Sequence, residues 1–316
     1  MNHRKLNSIS LALALVIAAG CSKSGSSFPS LSSNPFSSLG GGSNSSPPAS
    51  NNLLFSAAQQ QMPGGTGGYL EAGSQAFSGL KLGPGDEDAM GQGVAISVTS
   101  RYPIINNDRL NQYVALVGFT VADASPRPDG HFVFGVLDTP EVGAFSGPNG
   151  YVMITRGALM QMQDESELAG VLGHEIAHVC HHDGLHAVQH TKLSGAAAQA
   201  AQTAMQTNQT ASLFSSAVDT TSDVVLVKGY DRDQELAADE DAVKYVTTAG
   251  YDPAGYEHFV DRMAAKNPSG NGGLFSTHPG FAQRAAVVAR EVEATGKSGS
   301  GATNAARFHE AVAGIG

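Results

Sequence analysis

The chain has 316 residues, of which 41% are hydrophobic and 15% charged, and this composition predicts a globular core with a mildly polar surface. Its formal net charge of −10, together with the lack of any cluster of Lys and Arg, excludes a nucleic-acid-binding surface. Of its two cysteines, Cys180 has no CxxC partner and is expected to be a packed thiol, so no disulfide framework is predicted.

Residues 1–20 have the order of a secretory signal. A short basic start precedes an apolar run at residues 11–19, which is too short to span a membrane. The run leads into Ala-Gly-Cys21 and resembles a bacterial lipobox, which implies cleavage before Cys21 and lipid attachment to its thiol. Ser22 at the next position resembles the pattern that directs lipoproteins to an outer membrane. Ordinary cleavage, which would release a soluble secreted protein, is the alternative.

Three further regions follow this signal. Residues 21–68 are rich in Ser, Gly, Asn and Pro and lack the apolar periodicity of a core, so they are predicted to be a flexible tether. Residues 69–295 are predicted to form the globular domain. Residues 296–316 are predicted to be a Gly/Ser linker with a short tail helix.

Apolar spacing within the globular region predicts an α+β, mostly helical domain. Helices are predicted at residues 83–101, 107–119, 156–163, 164–182, 231–248, 254–265 and 281–293. Strands are predicted at residues 131–137 and 151–155, with a turn at 146–150 between them, and are expected to form a small antiparallel sheet. The Ala-rich stretch 185–218 is compatible with a helix, a lid or both, and residues 269–279 are predicted to be a loop.

His174, Glu175 and His178 form an HExxH motif on the helix predicted at 164–182. Residues four apart lie on one face of a helix, so both imidazoles can bind a single ion. Glu175 lies beside them, where its carboxylate can hydrogen-bond a metal-bound water.

Gly170 and Gly173, on the same predicted helix, are expected to permit close approach of another element. The later histidines of the same run, His186 and His190 among them, are carried away from this ion by the helical twist.

A catalytic zinc needs three protein ligands, so a third ligand is expected elsewhere. Glu235 and Asp239 are also four residues apart, on the helix predicted at 231–248. Glu235 would complete a His2Glu set, and Asp239 would accept the second imidazole N–H of a ligand histidine. The alternative is that both are surface acids on a polar helix face.

These motifs resemble those of the HtpX-like and BepA-like zinc metallopeptidases, which pair HExxH with ExxxD and carry a later Thr-His-Pro…Arg element. Here that element is Thr277-His278-Pro279 with Arg284, and a segment from Ala144 to Gly157 resembles the strand before the active helix. Gly143 stands where that family usually has Asn. The tetratricopeptide repeats and membrane spans found in some of its members are not seen. The resemblance implies a gluzincin-like domain of residues 69–295 with one Zn²⁺, in which an edge strand borders the active-site helix.

The resemblance also implies roles for two residues whose spacing alone predicts none. His278 would approach the zinc as a fourth ligand in a resting state, although a lone His on a Gly/Ser-flanked loop is more often solvated. Arg284 would line the cleft and stabilise developing negative charge.

The expected activity is zinc-dependent endopeptidase activity, with Glu175 as the base that deprotonates the zinc-bound water. The strand at 151–155, if it is a sheet edge, would bind extended polypeptides by strand addition, which suits unfolded or misassembled cell-envelope proteins. One alternative is a lipid-anchored chaperone or assembly factor that holds clients with the same strand. Another is a zinc enzyme with a non-peptide substrate.

Overall fold

A computed structural model of the chain describes residues 84–186, 218–219, 221–266, 277–278 and 280–316. The signal, the tether, the stretch 187–217 and most of the predicted loop 269–279 lie outside the described residues. The described helices are α1 (Pro84–Arg101), α2 (Asp108–Ala122), α3 (Arg156–Leu159), α4 (Glu165–Cys180), α5 (Arg232–Thr248), α6 (Pro253–Lys266), α7 (Phe281–Thr295) and α8 (Ala305–Val312). The domain is mostly helical with one small sheet, which confirms the predicted fold class.

The sheet has three strands, β1 (Val133–Leu137), β2 (Ala144–Gly147) and β3 (Tyr151–Thr155), in the order β1-β3-β2. β1 pairs with β3 in parallel, and β2 pairs with β3 in antiparallel orientation. The predicted antiparallel pairing of 131–137 with 151–155 is therefore wrong. The turn at 146–150 joins β2 to β3, and this hairpin leaves β1 to pair with β3 from the other side.

The strand order also changes which strand is an edge. β3 is the central strand, so the condition for strand addition at residues 151–155, that they form a sheet edge, is not met. β2 is the edge strand that lies against α4, since the Ser146 hydroxyl lies 2.7 Å from the Glu175 carboxylate. An edge strand does border the helix that carries HExxH, but it is formed by residues 144–147.

Side-chain caps explain where the two helices of the candidate site begin. Asp164 precedes α4 and its carboxylate accepts the backbone N–H groups of Ser166 and Glu167. Asp231 precedes α5 and forms a capping box with Gln234. The predicted and observed ends of these helices differ by at most two residues, which is the usual spread at frayed ends.

Glycines of α4 allow its neighbours to come close, as predicted. A Cβ on Gly170 would lie 2.4 Å from the Tyr256 Cβ, and one on Gly173 would lie 3.4 Å from Val246. The first distance is shorter than any normal carbon–carbon contact, so α6 requires glycine at position 170. This close packing holds α5 and α6 against α4.

Glu165, the first residue of α4, is fully buried and links α4 to the carboxyl-terminal segment. Its carboxylate accepts hydrogen bonds from four side chains: Tyr113, Tyr251, Asn304 and Arg307. Tyr251 and Ala302 also form an isolated parallel bridge, and Phe308 of α8 is fully buried. Residues 296–316, predicted to be a linker and tail helix, therefore pack on the domain.

The Glu165→Ala variant is expected to destabilise the domain by about 3–5 kcal/mol, because it removes the buried carboxylate that accepts hydrogen bonds from the Arg307 guanidinium and two tyrosine hydroxyls. For a domain of this size, the change lowers Tm by roughly 10 °C. Thermal unfolding followed by circular dichroism measures it. Glu310, half exposed and paired with Arg109, provides the matched control as Glu310→Ala. Equal melting temperatures for the two variants would contradict the role given to Glu165.

Among the helices in the described ranges, none combines the length and apolar character needed to cross a membrane.

Candidate active site

Four buried side chains from three parts of the chain converge on one point. His174 and His178 come from α4, Glu235 comes from the first turn of α5, and His278 lies just before α7. One potential ligand atom from each residue lies within 4.8 Å of the other three. The four residues predicted to be metal ligands are thus neighbours in space.

The separations are those of donor atoms around one small cation. The Nε2 atoms of His174 and His178 are 3.1 Å apart, and His278 Nδ1 is 3.3 Å from His174 Nε2. His278 Nδ1 is also 2.9 Å from Glu235 Oε1. Oxygens of Glu235 lie 3.5 Å from each Nε2. Donors in a tetrahedron with zinc bonds of about 2.1 Å are separated by about 3.4 Å.

Carboxylates behind the two imidazoles determine which ring nitrogen faces this point. His178 Nδ1 lies 2.7 Å from Asp183 Oδ2, and His174 Nδ1 lies 2.9 Å from Asp239 Oδ1. Each carboxylate accepts the Nδ1 proton, so in the neutral rings both Nε2 atoms present lone pairs. Two lone pairs facing each other at 3.1 Å repel unless a proton or a metal cation lies between them, so the residues fit a metal ion that takes the place of a proton.

The charge of the cluster also favours a cation. Burial raises the pKa of Glu235, but the neighbouring His278 and Arg284 outweigh burial and hold that pKa well below its usual range. Burial lowers the pKa of His178, but hydrogen bonds to Asp183 and Glu235 reverse this effect and raise it to about 10. The Oε2 atom of Glu235 is buried and makes no hydrogen bond among the described residues, although Arg284 Nη1 lies 3.2 Å from it as an ion-pair partner. The site therefore stabilises positive charge, and an imidazole–carboxylate donor set is typical of zinc.

Glu175 lies beside the ligand cluster and is not part of it. Its Oε2 accepts the Ser146 hydroxyl at 2.7 Å, and its Oε1 lies 3.4 Å from His278 Nε2. Glu175 is 1% exposed, so its carboxylate is shielded from solvent. His278 occupies the space between the Glu175 carboxylate and the other ligands.

Arg284 is buried among the acids of the site. Its guanidinium donates to both carboxylate oxygens of Asp239 at 2.8 Å, and Nη1 lies 3.2 Å from Glu235 Oε2. It also donates to the Tyr256 hydroxyl at 3.0 Å, and that hydroxyl lies 2.6 Å from Asp239. The residues predicted from the resemblance are therefore adjacent to the site, with Arg284 bound to the carboxylates that support the ligands.

Several residues of the site were not predicted from the sequence. Asp183 follows α4 by three residues, and it faces His178 because His182 adopts a left-handed conformation with φ of 57°. The Tyr230 ring lies 4.3 Å from the His178 ring, and its hydroxyl donates to the Ser146 carbonyl at 3.2 Å. A signal for Asp183 is its position shortly after a ligand histidine. Ser146 lies in the segment that resembles the strand before the active helix, but nothing there indicates its contact with Glu175, and no motif includes Tyr230.

Comparison with known proteins gives a family match for the part of the chain that contains this site. Residues 108–292 match the profile of Peptidase family M48. The chain is 24% identical over 211 residues to the beta-barrel assembly-enhancing protease of Escherichia coli (strain K12), an alignment that covers 64% of this chain and 43% of that protein. It is 23% identical over 244 residues to metalloprotease LoiP of the same strain, an alignment that covers 73% of this chain and 90% of LoiP. It is 29% identical over 163 residues to metalloprotease YcaL, also of Escherichia coli (strain K12), an alignment that covers 51% of this chain and 62% of YcaL.

The chain thus spans less than half the length of the first of these relatives and nine tenths of the second. The match to the family profile covers more than half of the 316 residues, and it includes both histidines of HExxH, Glu235, His278 and Arg284. The chain therefore belongs to peptidase family M48, a family of zinc-dependent metallopeptidases.

Proposed function

We propose that this protein is a zinc-dependent endopeptidase that holds its metal with His174, His178 and Glu235. The observation that carries the proposal is the convergence of these three side chains beside a fourth, Glu175, that is close but not a ligand. A catalytic zinc site has three protein ligands and a position left for water, whereas structural zinc sites use four protein ligands. His278 is the fourth residue of the cluster, so the proposal requires it to be displaceable.

Zinc in this site would lower the pKa of a coordinated water towards about 7 and polarise a peptide carbonyl. Glu175 accepts the proton of the attacking water and then delivers it to the nitrogen of the leaving amine. Asp239 and Asp183 keep the two imidazoles in the tautomer that presents Nε2. Arg284 balances the charge of Asp239 and Glu235.

His278 is proposed to be a fourth ligand in a resting state. It lies beside Glu235 and within 3.4 Å of Glu175, where a substrate carbonyl and the attacking water need to be. Catalysis therefore requires His278 to leave this position.

The edge strand β2 supports binding of extended polypeptides. Thr155 N donates to Gly143 O at 2.9 Å, so by alternation the backbone groups of Ala144 and Ser146 point away from β3. The Ser146 carbonyl accepts the Tyr230 hydroxyl, so an added strand would displace that contact or pair through the other groups of this edge. A substrate strand added at this edge would be recognised by its backbone, with broad tolerance of sequence. Unfolded or misassembled proteins suit such a site, because their backbone is accessible.

We further propose that the substrates are proteins of the bacterial cell envelope, and that the mature chain is anchored by lipid at Cys21 to the periplasmic face of the outer membrane. The lipobox-like segment and the similarity to a protease named for β-barrel assembly support this proposal. Metabolic labelling with palmitate tests the anchor, and a mature chain that carries no label would contradict it.

The experiment that tests the proposed function combines metal analysis with turnover. The purified protein is expected to contain about one zinc per chain and to cleave unfolded casein. A chelator such as 1,10-phenanthroline should stop cleavage, and added zinc should restore it. A zinc-loaded protein that cleaves no polypeptide would overturn the proposal.

A second candidate function is a chaperone or assembly factor, favoured by the position of His278 over Glu175 and by the outward edge of β2. Such a protein would protect an unfolded client from aggregation, and the protection would survive the Glu175→Gln substitution. Loss of protection together with loss of turnover would remove this alternative.

The Ser146→Ala variant is expected to lower kcat about tenfold and to leave KM almost unchanged. The Ser146 hydroxyl donates to one oxygen of Glu175, and a hydrogen bond to a charged acceptor contributes about 1.5–3 kcal/mol. Without it, the carboxylate is less well oriented for proton transfer. Casein kinetics measure the effect, and Ser146→Thr, which keeps a hydroxyl, should recover most of kcat. A similar loss in both variants would show that the hydroxyl is not what matters.

A further inference from the structure

A pocket lies directly beside His174 and Glu175, and most of its wall is apolar. His278 and Arg284 complete its polar side. The other lining residues are Gly143, Ala144, Ala158, Val171, Tyr256, Phe259, Val260 and Phe281. Apart from the residues of the candidate site, the only polar atom among these side chains is the Tyr256 hydroxyl, which is bonded to Asp239.

The elements around the site give this pocket its shape. Val171 lies on α4 one turn before Glu175, so its side chain is on the same face as the catalytic glutamate. Phe259 and Phe281, from α6 and α7, add aromatic rings to the wall. On the side of the sheet, Ala144 and Ala158 are small, which leaves the space between these walls open.

The polar groups of the pocket wall are already bound to other residues of the site, and Glu175 among them accepts the Ser146 hydroxyl. The Arg284 guanidinium is bound to Asp239 and Tyr256, and His174 Nδ1 is bound to Asp239. A buried charge without a partner is strongly disfavoured, while an aliphatic side chain gains from burial against these walls. The lining therefore selects for apolar groups.

The size of the pocket further restricts which substrate side chains can enter it. It measures about 30 Å³, and about 10–15 Å³ on the same measure holds one water molecule. With His278 in its resting position, this space suits a side chain of one to three carbon atoms. Withdrawal of His278 would open the polar side of the pocket and leave its apolar walls in place. A longer or aromatic side chain would require Val171 or Phe281 to move.

We infer that this pocket is the subsite for the side chain of a residue that flanks the scissile bond, and that it selects compact aliphatic residues such as Ala and Val. The inference rests on the proposed endopeptidase function, because it concerns where a polypeptide substrate is cut. Backbone recognition along β2 would then bind many sequences, and the pocket would choose the bond.

The test uses the full-length protein and a set of fluorogenic peptides that differ only at the two residues flanking the scissile bond. Product masses identify the bond that is cut. The wild-type protein is expected to prefer Ala or Val over Lys or Asp by about tenfold or more in kcat/KM at one flanking position.

The Val171→Ala variant enlarges the pocket. Because one methylene changes discrimination between substrates by about 10–200-fold, this variant should raise kcat/KM for Leu relative to Val by about tenfold.

Ala158→Val provides the opposite change, since it narrows the pocket and should favour Ala over Val. Leu116→Ala, at an exposed position on α2, is the matched control and should keep the wild-type profile. Melting temperature and zinc content show whether each variant is folded and loaded. If neither pocket variant folds, the wild-type profile alone decides, since equal cleavage beside Ala and Lys would overturn the inference.

The failure of this inference can be told apart from failure of the proposed function. If unfolded casein is not cleaved at all, the endopeptidase proposal fails. If casein is cleaved but the flanking preference is absent, or is the same in wild type and in a folded Val171→Ala, the subsite assignment fails and the endopeptidase stands.

Discussion

The Glu175→Gln variant is expected to lose about a thousandfold in kcat while keeping its zinc, since a positioned acid–base group contributes about 10²–10⁴-fold. Glutamine has nearly the same shape and can still accept the Ser146 hydroxyl through its amide oxygen, so the site should remain assembled. Its amide cannot accept a proton from the attacking water. Casein turnover with zinc content on the same sample measures both quantities.

The matched control is Glu240→Gln, an exposed acid on α5 that pairs with Arg290 at 3.1 Å. This control should retain the casein turnover and the zinc content of the wild type. Wild-type turnover in Glu175→Gln would remove Glu175 from the proposed chemistry. A variant that loses both zinc and turnover would show that Glu175 supports the metal site and would leave its role as a base without support.

The Glu235→Ala variant is expected to lose zinc itself. Groups that only support a ligand change metal affinity about 10–100-fold, so removing a ligand should lower affinity by more than about 100-fold. It also takes from Arg284 one of its two carboxylate partners, so some loss of thermal stability is expected. Competition with a colorimetric chelator measures affinity, and casein cleavage should disappear with the metal.

Glu240→Ala on the same helix controls for the loss of an acid from α5, and it should bind zinc like the wild type. If Glu235→Ala bound zinc with wild-type affinity, the carboxylate would not be a ligand. The proposed His2Glu site would then have to be abandoned, together with the role given to α5.

The helices could be predicted because the interactions that begin and end them are local. Asp164 and Asp231 cap α4 and α5 through backbone groups two or three residues away. The geometry of HExxH is local in the same way, since a helix places His174 and His178 on one face. The roles of Glu175, Asp239 and Arg284 in the reaction remain predictions, and the structure adds their positions.

The pairing of the strands could not be predicted from the same signals. β2 is short and its sequence, Ala-Phe-Ser-Gly, has weak strand propensity, so the antiparallel partner of β3 was missed. Turn residues at 146–150 indicate a hairpin but do not show which strand precedes it. The pairing depends on packing of the whole sheet against α2 and α4, to which distant parts of the chain contribute.

The capped helices, and the spacing that brings two imidazoles onto one helix face, follow from the order of residues alone, because a helix depends on contacts within about four residues. The contact of Ser146 with Glu175 depends on folding of the whole domain, since the two residues lie 29 positions apart. The tertiary structure also decides that Asp183 supports His178. That contact needs a left-handed backbone at His182, whose ring lies 2.8 Å from Glu87 on α1. Such contacts arise from packing between elements, which no local pattern of residues specifies.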